Sequence, residues 1–263
     1  MKKGLTTNAV KIIAIIIVVI DHIGLYLYPK FSQDTYYILR TIGRAAMPIF
    51  TYFIVQGYLY TKNLKKYILR IFILALITQV ILFILGYINN QYYPNYWTGV
   101  NNYLGILFSY TLSLILLAVF DKKIWIEKLT ENQNWILRIT AFILVALAYT
   151  KLNIKFGMRI PFMIITIFAI EKLFTKDNQT LKKRPNKEQK ENILYLALIL
   201  AIIAISLLFI TYTPGNQYAA LAAIIPIALY NGQKGRNNKP IQLLFYAIFP
   251  LQHLILYLTA ILT

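Results

Sequence analysis

An aspartate and a histidine stand side by side at Asp21-His22, near the end of the first long apolar run. Two arginines, Arg40 and Arg44, follow at the start of the second. Charged groups inside segments that read as lipid-buried helix cost about 2.5–3.5 kcal/mol each on insertion scales, and those retained pair with one another and mark substrate or ion sites. An imidazole titrates near neutrality and suits general acid–base work. Guanidiniums suit a developing oxyanion, or a carboxylate or phosphate to be held. Adjacent helical residues point about 100° apart, so Asp21 is poorly placed to orient His22. Arg40 and Arg44, at i and i+4, face one way. The preferred arrangement pairs Asp21 with one of these arginines and leaves His22 to meet a substrate. The alternative is a purely structural ion pair that locks the first two helices together.

The elements carrying these groups must be membrane helices. The 263 residues are 59% hydrophobic and 14% charged, with mean hydropathy +0.59, whereas soluble domains run to about 25% charged. The fold class expected is all-α, a polytopic transmembrane bundle. At about 20 apolar residues per crossing, nine spans are expected, near 8–28, 36–60, 67–87, 102–120, 135–150, 158–174, 192–211, 217–230 and 241–262. The opening Met-Lys-Lys and the apolar run after it read as the first span rather than as a signal peptide, since the run is long and interrupted by polar groups.

The formal charge of +18 does not point to nucleic acid, because the lysines and arginines fall mainly in alternate loops, as the positive-inside rule requires. Lys2 and Lys3 open the chain; Lys62, Lys65, Lys66 and Arg70 occupy the next such loop, then Lys122, Lys123 and Lys128, then 172–190, then Lys234, Arg236 and Lys239. This places the N-terminus in the cytoplasm. Lys30, and Lys151 with Lys155, are minor exceptions in otherwise bare outer loops. The chain is one membrane domain over 1–263, with a flexible cytoplasmic loop at about 175–191 that is too polar and short to fold alone. With no cysteine and two histidines, no metal site is expected.

A rise of 1.5 Å per residue puts His22 roughly 20 Å from the cytoplasmic end of span one. Arg40 and Arg44 lie roughly 6 and 12 Å below the outer end of span two, and His253 roughly 18 Å up span nine. These groups share one layer if the three helices touch. Pro48 should break or kink span two. Nearer the cytoplasmic mouth, Gln56, Tyr58, Lys62, Lys65, Lys66 and Arg70 are candidates to bind a phosphorylated cofactor. Gln56 equally suits an interhelical hydrogen bond, and the basic residues equally suit anchoring. Asn231, Lys234 and Arg236 form a Gly-rich basic turn, a weak phosphate cradle because Asn-Gly is an ordinary turn signal. Arg159 and Pro161 open span six.

Taken together, several short motifs resemble the TraX family of integral membrane proteins, whose founding member is linked to N-terminal acetylation of conjugative F-pilin. They are Ile20-Asp21-His22-Ile23-Gly24, Leu39-Arg40, Gly43-Arg44, Pro48-Ile49-Phe50, Gln56-Gly57-Tyr58, Lys66-Tyr67 with Arg70, Tyr230-Asn231-Gly232 and Phe249-Pro250 with His253. The first 70 and last 50 residues carry the resemblance. It implies an acyltransferase that uses cytoplasmic acetyl-CoA as acyl donor and acetylates an amine or hydroxyl at the other face, a logic similar to that of heparan glucosaminide N-acetyltransferase. The resemblance makes His22 and Asp21 the catalytic pair, lines the same site with Arg40 and Arg44, and adds His253 as the late histidine, here separated from Pro250 by Leu251 and Gln252. The acceptors implied are an exported protein N-terminus of pilin type, a glycan or a lipid, in a bacterial plasma membrane. A proton- or ion-coupled transporter built on Asp21, His22, Arg40 and Arg44 is the competing reading, and a non-catalytic assembly scaffold a third.

Overall fold

Thr6 caps the first helix, its hydroxyl accepting from the Ala9 amide at 3.3 Å, and α1 then runs Thr7–Tyr26. A computed structural model describes residues 4–92, 103–121, 130–174, 193–209, 215–235 and 239–262, and among these its regular elements are all helices. It comprises α2 (Gln33–Gly43), α3 (Ala46–Tyr60), α4 (Leu64–Tyr92), α5 (Ile106–Phe120), α6 (Glu131–Lys151) and α7 (Arg159–Phe174). After these come α8 (Ile193–Ser206), a 3-10 turn (Gln217–Ala223), α9 (Ile224–Leu229) and α10 (Lys239–Leu262). The loop at 175–191, Trp97 and Arg236 lie outside the described residues.

Among the described residues, five segments are long and apolar enough to cross a bilayer: Thr7–Tyr26, Gln33–Tyr60, Leu64–Gln91, Glu131–Lys151 and Gln242–Leu262. Ile106–Phe120, Ile193–Ser206 and Gln217–Leu229 are shorter apolar helices. The fifth expected span, read as short at 135–150, is a full 21-residue helix that starts earlier, at Glu131, behind a capping box of Thr130 and Gln133. Such a box satisfies two orphan donors and lets a polar first turn be helical. The eighth expected span is instead a 3-10 turn followed by the six residues of α9.

Helix α3 is apolar on every face, and Ile49, Tyr52, Val55 and Tyr58 are fully buried, as such a helix must be. It lies against α1 and α7, and α5 lies against α4, α6 and α7. Outward faces of α4 and α6 carry Phe72, Ile77, Phe83, Ile136, Phe142 and Leu144 exposed, the surface a bilayer requires. Pro48 has its effect one turn upstream. Without an N–H it gives the Arg44 carbonyl no i→i−4 partner, and its ring crowds that carbonyl. Helix α2 ends at Gly43, and Arg44 and Ala45 close a turn with their amides donating to Thr41 (3.1 Å) and Ile42 (3.4 Å). Pro48 itself sits in the first turn of α3, where its missing donor costs nothing.

Two backbone bridges tie loops at opposite ends of the bundle. The Leu5 amide donates to Leu229 O, and the Asn231 amide donates to Leu5 O, both at 2.8 Å. At the other end, Leu104 pairs with 153–155, the Leu104 amide donating to Asn153 O (3.2 Å) and the Lys155 amide to Leu104 O (2.9 Å). The second bridge sets the position of Lys155.

Candidate functional site

Asp21 projects from α1 to the break between α2 and α3. Its two carboxylate oxygens accept one from each arginine, Arg40 at 2.6 Å and Arg44 at 2.7 Å. Arg40 also donates to the Asp21 carbonyl (3.1 Å), and Arg44 Nε donates to the Arg40 carbonyl (2.7 Å). Both arginines and the aspartate are largely buried, so the three form one charge-assisted unit rather than the single pair expected. The approach needs a residue without a side chain at 43, since a Cβ on Gly43 would fall on the Asp21 carboxylate. Gly43→Ala is therefore expected to destabilise the protein by about 1–3 kcal/mol, the usual cost of overpacking. Thermal unfolding in detergent measures it, and an unchanged midpoint would show that the carboxylate does not need this space.

With its oxygens so engaged, Asp21 does not orient His22. The neighbour of His22 is His253 from α10, with ring centroids 4.6 Å apart. The Tyr26 hydroxyl, one helical turn beyond His22, is 2.8 Å from His253 Nδ1 and fixes that ring. His22 Nδ1 is buried and has no hydrogen-bond partner among the described residues. Both histidines, Asp21 and Arg44 line a cavity of about 120 Å³, together with Lys155 and Arg159. Arg40 stands behind it, reaching it through Asp21.

A second cavity, of about 330 Å³, opens toward the Thr7 end of α1. Lys11, Arg70 and Lys234 line it together with Gln56, Tyr60 and Tyr246. The two cavities share Phe50, Leu107, Tyr110 and Phe249 as walls. Phe50 and Phe249 meet edge to face at 5.2 Å and form the septum between them. No three of His, Cys, Asp and Glu converge to hold a metal among the described residues.

Residues 6–260, nearly the whole chain, match the model of the TraX protein family. The chain belongs to the TraX family. It is 43% identical over 73 residues to an uncharacterised protein of Rickettsia prowazekii (strain Madrid E), covering 28% of this chain and 25% of that one. It is 35% identical over 69 residues to the probable fimbrial assembly protein FimC, serogroup H1, of Dichelobacter nodosus, covering 26% and 28%. The aligned region thus spans about a quarter of the length of these curated relatives. No solved structure matches.

In this TraX protein the structure brings Asp21, His22, Arg40, Arg44 and His253 together. Of the candidate cofactor contacts, it brings Gln56, Arg70 and Lys234 to the second cavity. Others go elsewhere. Tyr58 is buried, with its hydroxyl donating to Asp121 (3.0 Å) and its ring against Phe168. Lys62, Lys65 and Lys66 are exposed around the start of α4 and line neither cavity. Asn231 is a turn residue, its side-chain Nδ2 donating to Gly4 O and its Oδ1 accepting from the Gln233 backbone amide. Gln56 is interhelical as well as cavity-lining: its Nε2 donates to Glu171 (2.7 Å), which also accepts from Tyr195 (2.5 Å). From sequence Lys11 reads only as one of the N-terminal basic residues, Tyr26 as an interfacial anchor and Lys155 as a minor exception; Glu171 was missed.

Proposed function

We propose that this protein is an integral membrane acetyltransferase that takes an acetyl group from cytoplasmic acetyl-CoA and delivers it to an amine or hydroxyl of an acceptor at the far side of the membrane. The observation that carries this reading is the pair of abutting cavities, the larger one basic and the smaller one containing the two histidines. Their arrangement supports an N-terminus in the cytoplasm, since the second cavity then opens on the side of the Lys-rich loops. Nine crossings of a bacterial plasma membrane would need α5, α7, α8 and the Gln217–Leu229 segment beside the five long helices.

The second cavity fits the donor. Its volume lies in the range of small-molecule sites, and Lys11, Arg70 and Lys234 suit phosphate groups. Aromatic walls suit a nucleotide base. In the first cavity His22, its Nδ1 unpaired, takes the proton of the acceptor amine or hydroxyl as the new bond to the acyl carbon forms. Arg44 supplies positive charge for the oxyanion. The carbon–sulfur bond then breaks, and the thiolate recovers a proton to leave as the thiol. His253, held by Tyr26, keeps His22 in place. Family membership and the partial match to a fimbrial assembly protein support an exported, pilin-like acceptor, with glycans and lipids as the other candidates. For transfer, the acetyl end of the donor would pass Phe50 and Phe249, walls the two cavities share.

Calorimetry of acetyl-CoA on the purified protein tests the reading. Micromolar binding is expected, weakened at least about tenfold when Lys11, Arg70 and Lys234 are replaced by alanine, each charge-assisted contact being worth about 1.5–3 kcal/mol. Replacing the exposed Lys65 and Lys66 should change little. No binding at millimolar acetyl-CoA, in protein shown to be folded, would overturn the acyltransferase and favour the transporter.

A further inference from the structure

The first cavity carries more positive charge than its carboxylate can balance. Arg44, Lys155 and Arg159 line it, and Asp21, the carboxylate among its lining residues, is already engaged by Arg40 and Arg44. Arg159 is 4% exposed. Its Nε donates to Ser206 Oγ at 3.2 Å, and no carboxylate pairs with it among the described residues. Lys155 lies over the Tyr103 ring at 4.9 Å and likewise has no carboxylate partner there. Buried charge without a counter-ion is strongly unfavourable, so Arg159, with Lys155 beside it on the cavity wall, is placed to take an anion.

The backbone around Lys155 is held in an unusual shape. Asn153 and Phe156 both have positive φ, at 46° and 69°, and such a conformation at a residue like Phe156 costs of order 1–3 kcal/mol. The Leu104 bridge fixes the loop from one side. Ser109 Oγ, which donates to the Lys155 carbonyl at 2.6 Å, fixes it from another. The loop is built to hold an ammonium at the cavity.

We infer that the first cavity binds a phosphate group, and that the acceptor carries its acetylated amine or hydroxyl a few atoms from that phosphate. This rests on the acyl-transfer reading for the word acceptor, though the phosphate site stands on its own residues. Arginine presents a planar fork to oxyanions, and lysine adds a point charge. Two uncompensated cations suit the tetrahedral oxygens of a phosphate better than the planar pair of a carboxylate. At about 120 Å³ the cavity admits a small head group, not a whole ligand. Placed between Lys155 and Arg159, the phosphate would leave the adjoining amine or hydroxyl facing the histidines.

The test uses full-length protein in phosphatidylcholine nanodiscs, without acetyl-CoA, and three small probes: phosphoethanolamine, β-alanine and ethanolamine. Phosphoethanolamine should bind at least about tenfold more tightly than ethanolamine, with β-alanine between. Arg159→Gln and Lys155→Gln should each remove most of that preference. Lys155 is only partly buried, so its variant is the one that keeps the test open if Arg159→Gln does not fold. Equal binding of all three probes, or β-alanine binding as well as phosphoethanolamine, overturns the proposal. So does displacement of phosphoethanolamine by acetyl-CoA in simple competition, which would give these cations to the donor. A phosphate preference in protein that binds no acetyl-CoA would support the anion site while removing the acyl-transfer reading. Exchanging the lipid for phosphatidylethanolamine separates sources: competition with the probe puts the phosphate on a lipid headgroup, and its absence puts it on a soluble or exported molecule.

Discussion

Replacing His22 with alanine is expected to slow acetyl transfer by about 10²–10⁴-fold, the usual contribution of a positioned general base, while acetyl-CoA binding stays within about twofold of the parent. The separation follows from geometry. His22 lines the smaller cavity and is absent from the walls of the larger one, so the proposed donor site is untouched. Its Nδ1 is buried and has no partner among the described residues, and truncation beside Gln252 leaves room for water. Single-turnover transfer in membranes, beside calorimetry and a thermal midpoint on the same preparation, reads all three effects. Normal turnover in folded His22→Ala protein would move the base to His253. That residue already meets Tyr26 through Nδ1, leaving Nε2 as its remaining nitrogen for proton transfer.

The charged layer was legible in the sequence because intramembrane charge is rare and helix depth is simple arithmetic. One aspartate and one histidine in the first apolar run, two arginines at helical spacing in the second and a late histidine in the last were enough to place five residues on one level. That Asp21 takes both arginines, not one, was not legible, since it depends on how Gly43 lets α2 approach α1. Pro48 announced a break, and the structure puts it at Arg44, the residue whose carbonyl the proline leaves without a donor. The larger cavity was read less well. Charge in a cytoplasmic loop serves as anchor and as ligand contact alike, and spacing does not separate the two. Lys65 and Lys66 are exposed, whereas Lys11, inside the first span, lines the larger cavity.

The more instructive miss is Lys155. As an exception to the positive-inside pattern it was set aside, yet a cation in a loop otherwise bare of them is one that orientation does not explain. It lines the smaller cavity with Arg159. The signal was the departure from the rule, read beside Arg159 four residues further on.

Removing the carboxylate of Asp21 should have the largest effect on stability. Asp21→Ala leaves Arg40 and Arg44 buried without their counter-charge, and breaking one side of such a pair costs about 3–5 kcal/mol. In a chain of this size that is a fall in Tm of roughly 10 °C. Loss of activity in this variant alone would not separate a structural lock from a catalytic group, because both readings predict it. The triple replacement Asp21→Leu, Arg40→Met, Arg44→Met separates them. Buried ion pairs exchanged for apolar residues of similar volume are often neutral or stabilising, so the triple variant should recover most of the lost Tm. If the cluster is only a lock between α1 and α2, activity should recover with stability. If Arg44 supplies charge to the oxyanion, the stable triple variant should remain at least about 10²-fold impaired, the usual loss for one such donor. A stable and fully active triple variant would assign the cluster to folding and leave the histidines to work without it.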